Sequence, residues 1–287
     1  MDALETRELR YFLAVAEELH FGRAAERLGM AQPPLSRAIQ QLERRLGVSL
    51  LERNRRGVAL TGAGEVLLHE GRAALDASTA AARRTRRAGG ADRPGGPRDR
   101  LVLAVKAAAS HELLRKLLDA YGAVPGAAEI EVLPCGMCEQ PEMLRDGRAD
   151  VALMHAPYNS LAGFDTEALM TEGQIAVLPA GHPLAARRTL SVAEVSDIPG
   201  LPPARWPNDG TYPPGPGPEI HDQTQLAQLI ALGRTMAVFP ESARSWLWAG
   251  HTAVPLTDAP PVVTHIAWPA HSRSLALAGL IRTAVQL

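Results

Sequence analysis

Scarcity excludes two broad classes for these 287 residues, the disulfide-built scaffold and the membrane-spanning chain. Cysteine occurs only at positions 135 and 138, too seldom for a disulfide framework, and both thiols are expected to stay reduced. No uninterrupted apolar run reaches the ~20 residues that cross a bilayer. The start of the chain lacks the basic region and apolar core of a secretory signal. The expectation is a cytoplasmic protein with no membrane partner.

The charge that is present is divided along the chain. Residues 1–100 carry 18 basic and 13 acidic side chains, whereas residues 101–287 carry 12 and 18. A basic front and an acidic rear fit a nucleic-acid-binding segment followed by one that does not bind nucleic acid. The length suggests two or three domains, ample for a sizeable core.

In the front segment Leu9, Phe12, Leu13, Ala16 and Leu19 recur at the spacing of one helical stripe. A second, two-turn helix is expected from about Gly22 to Gly29, where glycine turns left-handed cheaply. A third begins at Gln32, with Pro33 suited to the first helical position because its missing N–H has no intrahelical acceptor to lose. Leu35, Ile39, Leu42 and Leu46 form its buried stripe, and Gly47 ends it. Left outward near its start are Gln32, Pro34, Ser36, Arg37 and Gln40, with Pro33 beside them. Arginine and glutamine make bidentate contacts to guanine and adenine edges respectively; an ordinary solvated face of a small bundle is the alternative.

Residues 48–53 and 58–61 read as two short strands around the turn Asn54-Arg-Arg-Gly57. Arg53, Arg55 and Arg56 stand where such a wing meets phosphates, contacts that add affinity without reading sequence. The competing role is solubilising a hairpin tip.

The ordered set Leu9-Arg-Tyr-Phe12, Ala24-Ala-x-x-Leu28, Ala31-Gln-Pro-Pro-Leu-Ser-Arg37, Leu42-Glu43, Leu46-Gly47, Glu52-Arg53 and Leu60-Thr61-x-x-Gly64 resembles the LysR-type transcriptional regulators. The resemblance implies an α/β protein: an N-terminal winged helix-turn-helix, a long dimerising linker helix and a two-lobed effector domain of periplasmic-binding-protein type. It implies double-stranded DNA, a small-molecule effector, self-association as a dimer or a dimer of dimers, and the transcription machinery where the chain activates. No cofactor, metal or catalysis is expected. Two positions depart from the family pattern: Leu51 stands where Phe is usual, and Gly62 replaces an acidic residue that would favour the linker start.

The expected layout is a head over 4–61, a linker helix over 62–88, a hinge over 89–99 and an effector domain over 100–287. Lobe 1 takes about 100–166 and 262–287, and lobe 2 about 167–261. The linker segment is rich in Ala, Leu, Glu and Arg without proline, enough for a helix of roughly 40 Å. Its stripe of Val66, Leu67, Ala74 and Leu75 would be wet in a lone helix, so pairing with a second copy is expected, packing on its own effector domain being the alternative. Residues 83–97 then end the helix with arginine, glycine and proline.

Beyond the hinge, strands at 101–105, 129–133 and 150–154 alternate with helices at 110–122 and 139–147. That alternation argues for a parallel sheet with right-handed crossovers, its ligand outside the carboxyl ends of the strands. Ser110 and His111, Cys135 and Gly136, and His155 fall at those ends. A second lobe holds a strand at 175–178 and a helix opened by His221-Asp-Gln-Thr-Gln225, where Asp222 and Gln225 have capping-box spacing. A helix N-terminus aimed at the cleft favours an anionic effector. The chain returns near 262–268 and ends in a helix over 274–285. The family resemblance carries effector contacts to Ser110, His155, Gln223 and Thr224, with local capping as the competing role for each.

Residues 202–218 hold seven prolines and form neither helix nor central strand; the segment is expected as a loop over the cleft, bringing Trp206 and Tyr212, or else as a linker. Cys135-Gly-Met-Cys138 has the spacing of redox thiols but no thioredoxin-like flank. A redox-sensing regulator therefore stays as an alternative to a ligand-responsive one. A solute-binding protein would need an export signal and would leave residues 1–61 without a use, and a thiol oxidoreductase working through Cys135 and Cys138 would keep its turnover without head and linker.

Overall fold

A computed structural model describes residues 4–54, 57–91, 100–107, 109–207, 211–270 and 272–287, and the chain divides into two compact units near Arg86. In the first unit α1 (Thr6–Glu18), α2 (Phe21–Arg27) and α3 (Gln32–Leu46) enclose a core of Phe12, Val15, Ala24, Leu35, Ile39, Leu42 and Leu50. The helix stops use left-handed glycine, with φ of 65° at Gly29 and 71° at Gly47. Gln32, not Pro33, is the first helical residue, because Ala31 is the extended N-cap. Pro33 therefore takes the second position, whose N–H would lack an acceptor equally. α2 begins at Phe21 because His20 Nδ1 accepts from the N–H groups of Gly22 and Arg23 at 3.1 and 3.2 Å, a cap outside the usual Ser/Thr/Asp/Asn set.

Strand β1 (Leu51–Asn54) pairs antiparallel with β2 (Gly57–Leu60), Asn54 opposite Gly57. Glu43 on α3 fastens this wing to the helix: its Oε1 accepts from the N–H groups of Leu50 and Leu51 at 2.8 and 3.1 Å. Helix α4 (Gly62–Ala91) runs through Gly89 and Gly90, three residues beyond the expected end at 88. Two glycines cost only about 1 kcal/mol each in a helix already propagating. The helix start rests on Thr61, whose Oγ1 donates to the Ser49 carbonyl at 2.7 Å and accepts from the Gly64 N–H at 3.0 Å. That cap explains how Gly62 is tolerated.

The linker stripe is shared out differently from the expectation. Leu67 is buried in the head core with Leu75 packed against it, whereas Val66 is 63% exposed. Arg72 reinforces the attachment, donating to Glu17 Oε1 at 2.8 and 3.1 Å while Arg27 holds the other oxygen at 2.7 Å. Burial alone would raise the Glu17 carboxyl, but the two guanidinium groups bring it below its ordinary value.

The second unit runs β3 (Arg100–Lys106), α5 (His111–Gly122), β4 (Glu129–Cys135), α6 (Gln140–Arg145), β5 (Val151–Ala156), β6 (Phe164–Glu172), β7 (Gln174–Pro179), α7 (Val192–Ser196), α8 (Gln223–Ala231), β8 (Ala237–Pro240), β9 (His251–Pro255), β10 (Val262–Pro269) and α9 (Leu275–Val285). One lobe has the sheet order β4-β3-β5-β10-β6 and the other β8-β7-β9. The expected parallel sheet is found only in β4-β3-β5. β10 is antiparallel to β5 and β6, and the second sheet is antiparallel throughout. β10 arrives from the other lobe instead of through a helical crossover, so nothing requires it to run parallel.

Strand β6 went unanticipated, and its pairing along β10 places residues 167–172 in lobe 1, not lobe 2. It is an edge strand, FDTEALMTE, whose interspersed carboxylates hide its apolar signal. The chain crosses between lobes at Glu172-Gly173-Gln174. There Gln174 donates to the Pro260 carbonyl at 2.7 Å, and Glu172 accepts from Ser242 N and Oγ at 2.5 and 3.0 Å.

A Cβ on Gly64 would stand 2.1 Å from the Leu50 carbonyl oxygen, so the linker reaches the wing only through a glycine. Gly64→Ala is expected to destabilise the head by about 2 kcal/mol, read as faster hydrogen exchange of core amides in α1 and α3 of the intact chain. Gly62→Ala, with open space around it, should stay within about 0.5 kcal/mol of the parent.

Candidate functional site

Between the two lobes of the second unit lies a cavity of about 270 Å³. Lobe 1 supplies Lys106, Met137, Cys138, His155, Tyr158 and Asn159, while lobe 2 supplies Trp206, Gln223, Val238, Phe239, Ser242 and Trp246 among others. Phe239 and Trp246 meet edge to face with centroids 5.2 Å apart. The walls are mostly apolar and aromatic, with a few polar groups converging on the interior, the usual make-up of a small-molecule site.

Lys106 is the charge in that cavity. The apolar run of β3 ends on it, at the carboxyl edge of the parallel strands. Its Nζ lies 5.4 Å from the centre of the Phe239 ring, a cation–π arrangement, and among the described residues it has no carboxylate within ion-pair distance. Burial lowers its pKa from 10.5 to about 8, opposed by the two cysteines nearby. The chain's other lysine, Lys116, is paired on the surface with Glu112 at 2.8 Å.

Behind the wall, Ser110 Oγ lies 2.8 Å from His155 Nε2, and Asn159 Oδ1 accepts from the His155 backbone N–H at 2.8 Å. Burial and then the charge of Lys106 push the imidazole down to about 4, which leaves it neutral at pH 7. Ser110 adopts φ 50° and makes no cap to its own helix. Its hydroxyl is committed to the histidine instead, at the expense of a conformation that non-glycine residues rarely take.

Of the residues singled out from sequence, His155 and Gln223 line the cavity and Ser110 supports His155 from behind. His111, Gly136 and Thr224 are exposed and Cys135 is buried, none of the four in the wall. Asp222 caps α8 by accepting from Gln225 N at 2.8 Å, but the Gln225 side chain bonds His221 N instead of closing the box. Lys106, Tyr158, Phe239 and Trp246 also line the cavity, and none of them stands out as a site residue in the sequence. The available signal was Lys106 itself, one of two lysines among 30 basic residues, at the end of a buried strand. The proline-rich loop is fastened by Arg205, which donates to the carbonyls of Gly217 and Pro213 and pairs with Glu219. Trp206 reaches the cavity, whereas Tyr212 is held by His221 at 2.8 Å.

Cys135 lacks the surroundings of a reactive thiol. Burial foremost, with Glu139 adding to it, pushes Cys135 up to about 12, and its Sγ bonds the Val105 carbonyl at 3.3 Å. A thiol so protonated is a poor nucleophile.

In the first unit Gln32, Pro33, Pro34, Arg37 and Gln40 are exposed on α3 and Ser36 is half-buried. Arg37 and Gln40 stand one turn apart on the face opposite Leu35, Ile39 and Leu42, and Arg37 has no ion pair among the described residues. The backbone of Arg53 pairs with Val58 in the wing. The Arg53 side chain, and Arg55 and Arg56 altogether, lie outside the described residues.

Comparison with known proteins returns the same two parts. Residues 6–65 match the bacterial regulatory helix-turn-helix proteins of the lysR family, and residues 94–287 match the LysR substrate binding domain. The chain is similar to the HTH-type transcriptional regulator AlsR of Bacillus subtilis, 33% identical over 84% of this chain and 82% of that protein. It is also similar to the regulator IlvR of Caulobacter vibrioides, 32% identical over 97% of each. Among solved structures, full-length BenM aligns with a TM-score of 0.52 and 27% identity, covering 99% of this chain and 96% of that one.

Proposed function

Because the chain belongs to the LysR family of ligand-responsive, DNA-binding transcriptional regulators, we propose that its effector is a small monoanion with an apolar body, held in the cleft by Lys106. The observation that carries this reading is the ammonium in an aromatic cavity with no carboxylate beside it among the described residues. Such a charge is costly to bury and gains most from an anionic ligand. At about 270 Å³ the cavity is a little below the ~300–1,000 Å³ of drug-sized sites, which suits a ligand of metabolite size. His155 and Gln223 line the wall as polar contacts for it, and Ser110 orients the histidine.

On the head, α3 enters the major groove with Arg37 and Gln40 toward base edges and Gln32, Pro33, Pro34 and Ser36 near its leading end. Arg53, Arg55 and Arg56 of the wing hold phosphates. Tyr158 supplies a route from the ligand to the lobes, since it lines the cavity and its hydroxyl donates to Gln174 at the crossing. Occupancy then shifts the balance between lobe arrangements, and with it head spacing in the dimer or dimer of dimers, in proportion to the ligand's differential affinity for the two states. Relatives are transcriptional regulators, and the cleft is read as a sensor, not a catalytic centre. No helix among the described residues is long and apolar enough to cross a membrane; the cytoplasm is the site of action in this reading.

Selection from a randomised duplex library tests the head. Arg37→Ala and Gln40→Ala should each relax preference at one or two base pairs, by about 1–3 kcal/mol of discrimination, and equal loss on specific and random DNA would refute base reading. The cleft is tested with 4-methylpentanoate as probe in a Cys138→Ser background. Lys106 is charged below about 8, so the probe's affinity should hold there and fall about tenfold per pH unit above it. His155, near 4, and Cys135, near 12, do not titrate in that window, and burial together with Glu172 raises Tyr158 away from it. Lys106→Met should abolish binding at every pH; retained binding would overturn the assignment.

A further inference from the structure

Lysine at 106 is a chemically particular choice. An arginine would hold an anion as well and would stay charged, and the chain uses arginine for 28 of its 30 basic residues. A lysine in an apolar cavity can in addition surrender its proton and act as a nucleophile. The surroundings permit that second capacity: among the described residues no carboxylate pairs with the ammonium, and the walls that enclose Nζ are mostly apolar and aromatic.

We propose that Lys106 captures its ligand as a reversible imine, and that the ligand is a 2-oxo monocarboxylate with an apolar side chain. The inference rests on the cleft reading given above. The neutral amine's lone pair adds to C2 of the oxo acid, and the carbonyl oxygen takes up a proton while the nitrogen gives one up. Loss of water from the resulting carbinolamine leaves the C=N bond. One amine and one carbonyl yield one imine and one water, with no oxidant or reductant involved.

Charge decides for an oxo acid over a simple aldehyde or ketone. Protonated, the imine is an iminium that keeps the single positive charge of the cavity, and the carboxylate on the adjacent carbon lies directly against it. A neutral carbonyl ligand would leave that cation as poorly compensated as before. A free amine fraction is available at physiological pH because burial brings Lys106 to about 8, whereas Lys116, exposed and salt-bridged, offers an internal control in the same molecule.

The test incubates the full chain with 4-methyl-2-oxopentanoate and cyanoborohydride, which delivers hydride to the iminium carbon and fixes it as a secondary amine. Intact-mass and peptide analysis then locate the product. We expect one adduct per chain, on Lys106, none on Lys116, and none from 2-hydroxy-4-methylpentanoate. Without reductant, calorimetry should show the oxo acid binding at least about tenfold tighter than the hydroxy acid, a difference of about 1.4 kcal/mol, and Lys106→Arg should erase that difference. If both acids bind alike and Lys106 stays unmodified, the imine is refuted while the anion site stands. If neither acid binds, both are refuted. Equal labelling of the two lysines would mark unselective amine chemistry and refute the capture site.

Discussion

A half-buried ammonium with no carboxylate partner among the described residues is the constraint that governs the cleft of the effector domain. Removing a charge from solvent costs several kcal/mol unless the surroundings compensate. Here the compensation is partial, a ring face 5.4 Å away, and the residual cost shows in the lowered pKa of Lys106. Burial first, and then the same charge, depress His155, which keeps the imidazole neutral and its hydrogen bond with Ser110 undisturbed by changes of pH near 7. On the reading proposed above, an anionic ligand completes an electrostatic arrangement that the protein leaves open. Both lobes form the cavity wall, and Tyr158 connects it to the crossing at Gln174.

The head is governed by constraints of a different kind, set by backbone approach and not by charge. The Leu50 carbonyl sits where a side chain at residue 64 would have to be, and the Glu43 carboxylate takes the two N–H groups that open the wing. These contacts give physical meaning to Leu42-Glu43 and Thr61-x-x-Gly64, which served first as family marks. One holds the wing against α3 and the other seats the linker on the wing. The exposed face carrying Arg37 and Gln40 thereby belongs to a helix to which the wing is fastened directly.

The head was legible in sequence almost residue by residue, because its helices are short, strongly periodic and closed by glycines that leave few alternatives. Three features were not. The His20 cap lies outside the usual capping residues, the linker helix runs through two glycines, and Leu67 of the linker stripe belongs to the head core. In the effector domain the alternation of strands and helices identified the parallel half of the first sheet. The antiparallel half was hidden because β10 pairs across more than a hundred residues of intervening chain with β5. Pattern matching marked His155 and Gln223 through their positions at a strand end and a helix start. Lys106 was overlooked because one lysine closing an apolar strand resembles any solvated strand end, and only the walls contributed by the second lobe show that it is enclosed.

The most direct test of the account is the ionisation of Lys106 itself. With two lysines in the chain, selective ¹⁵N labelling gives two Nζ signals whose titration is followed by NMR, with and without 4-methylpentanoate, a carboxylate that has no carbonyl to condense. The account predicts that one amine titrates near 8 in the free protein and moves upward by about one unit or more once the carboxylate is bound, while Lys116 is unchanged. A Lys106 that titrates near 10.5 in the free protein, or that ignores the carboxylate, would contradict it.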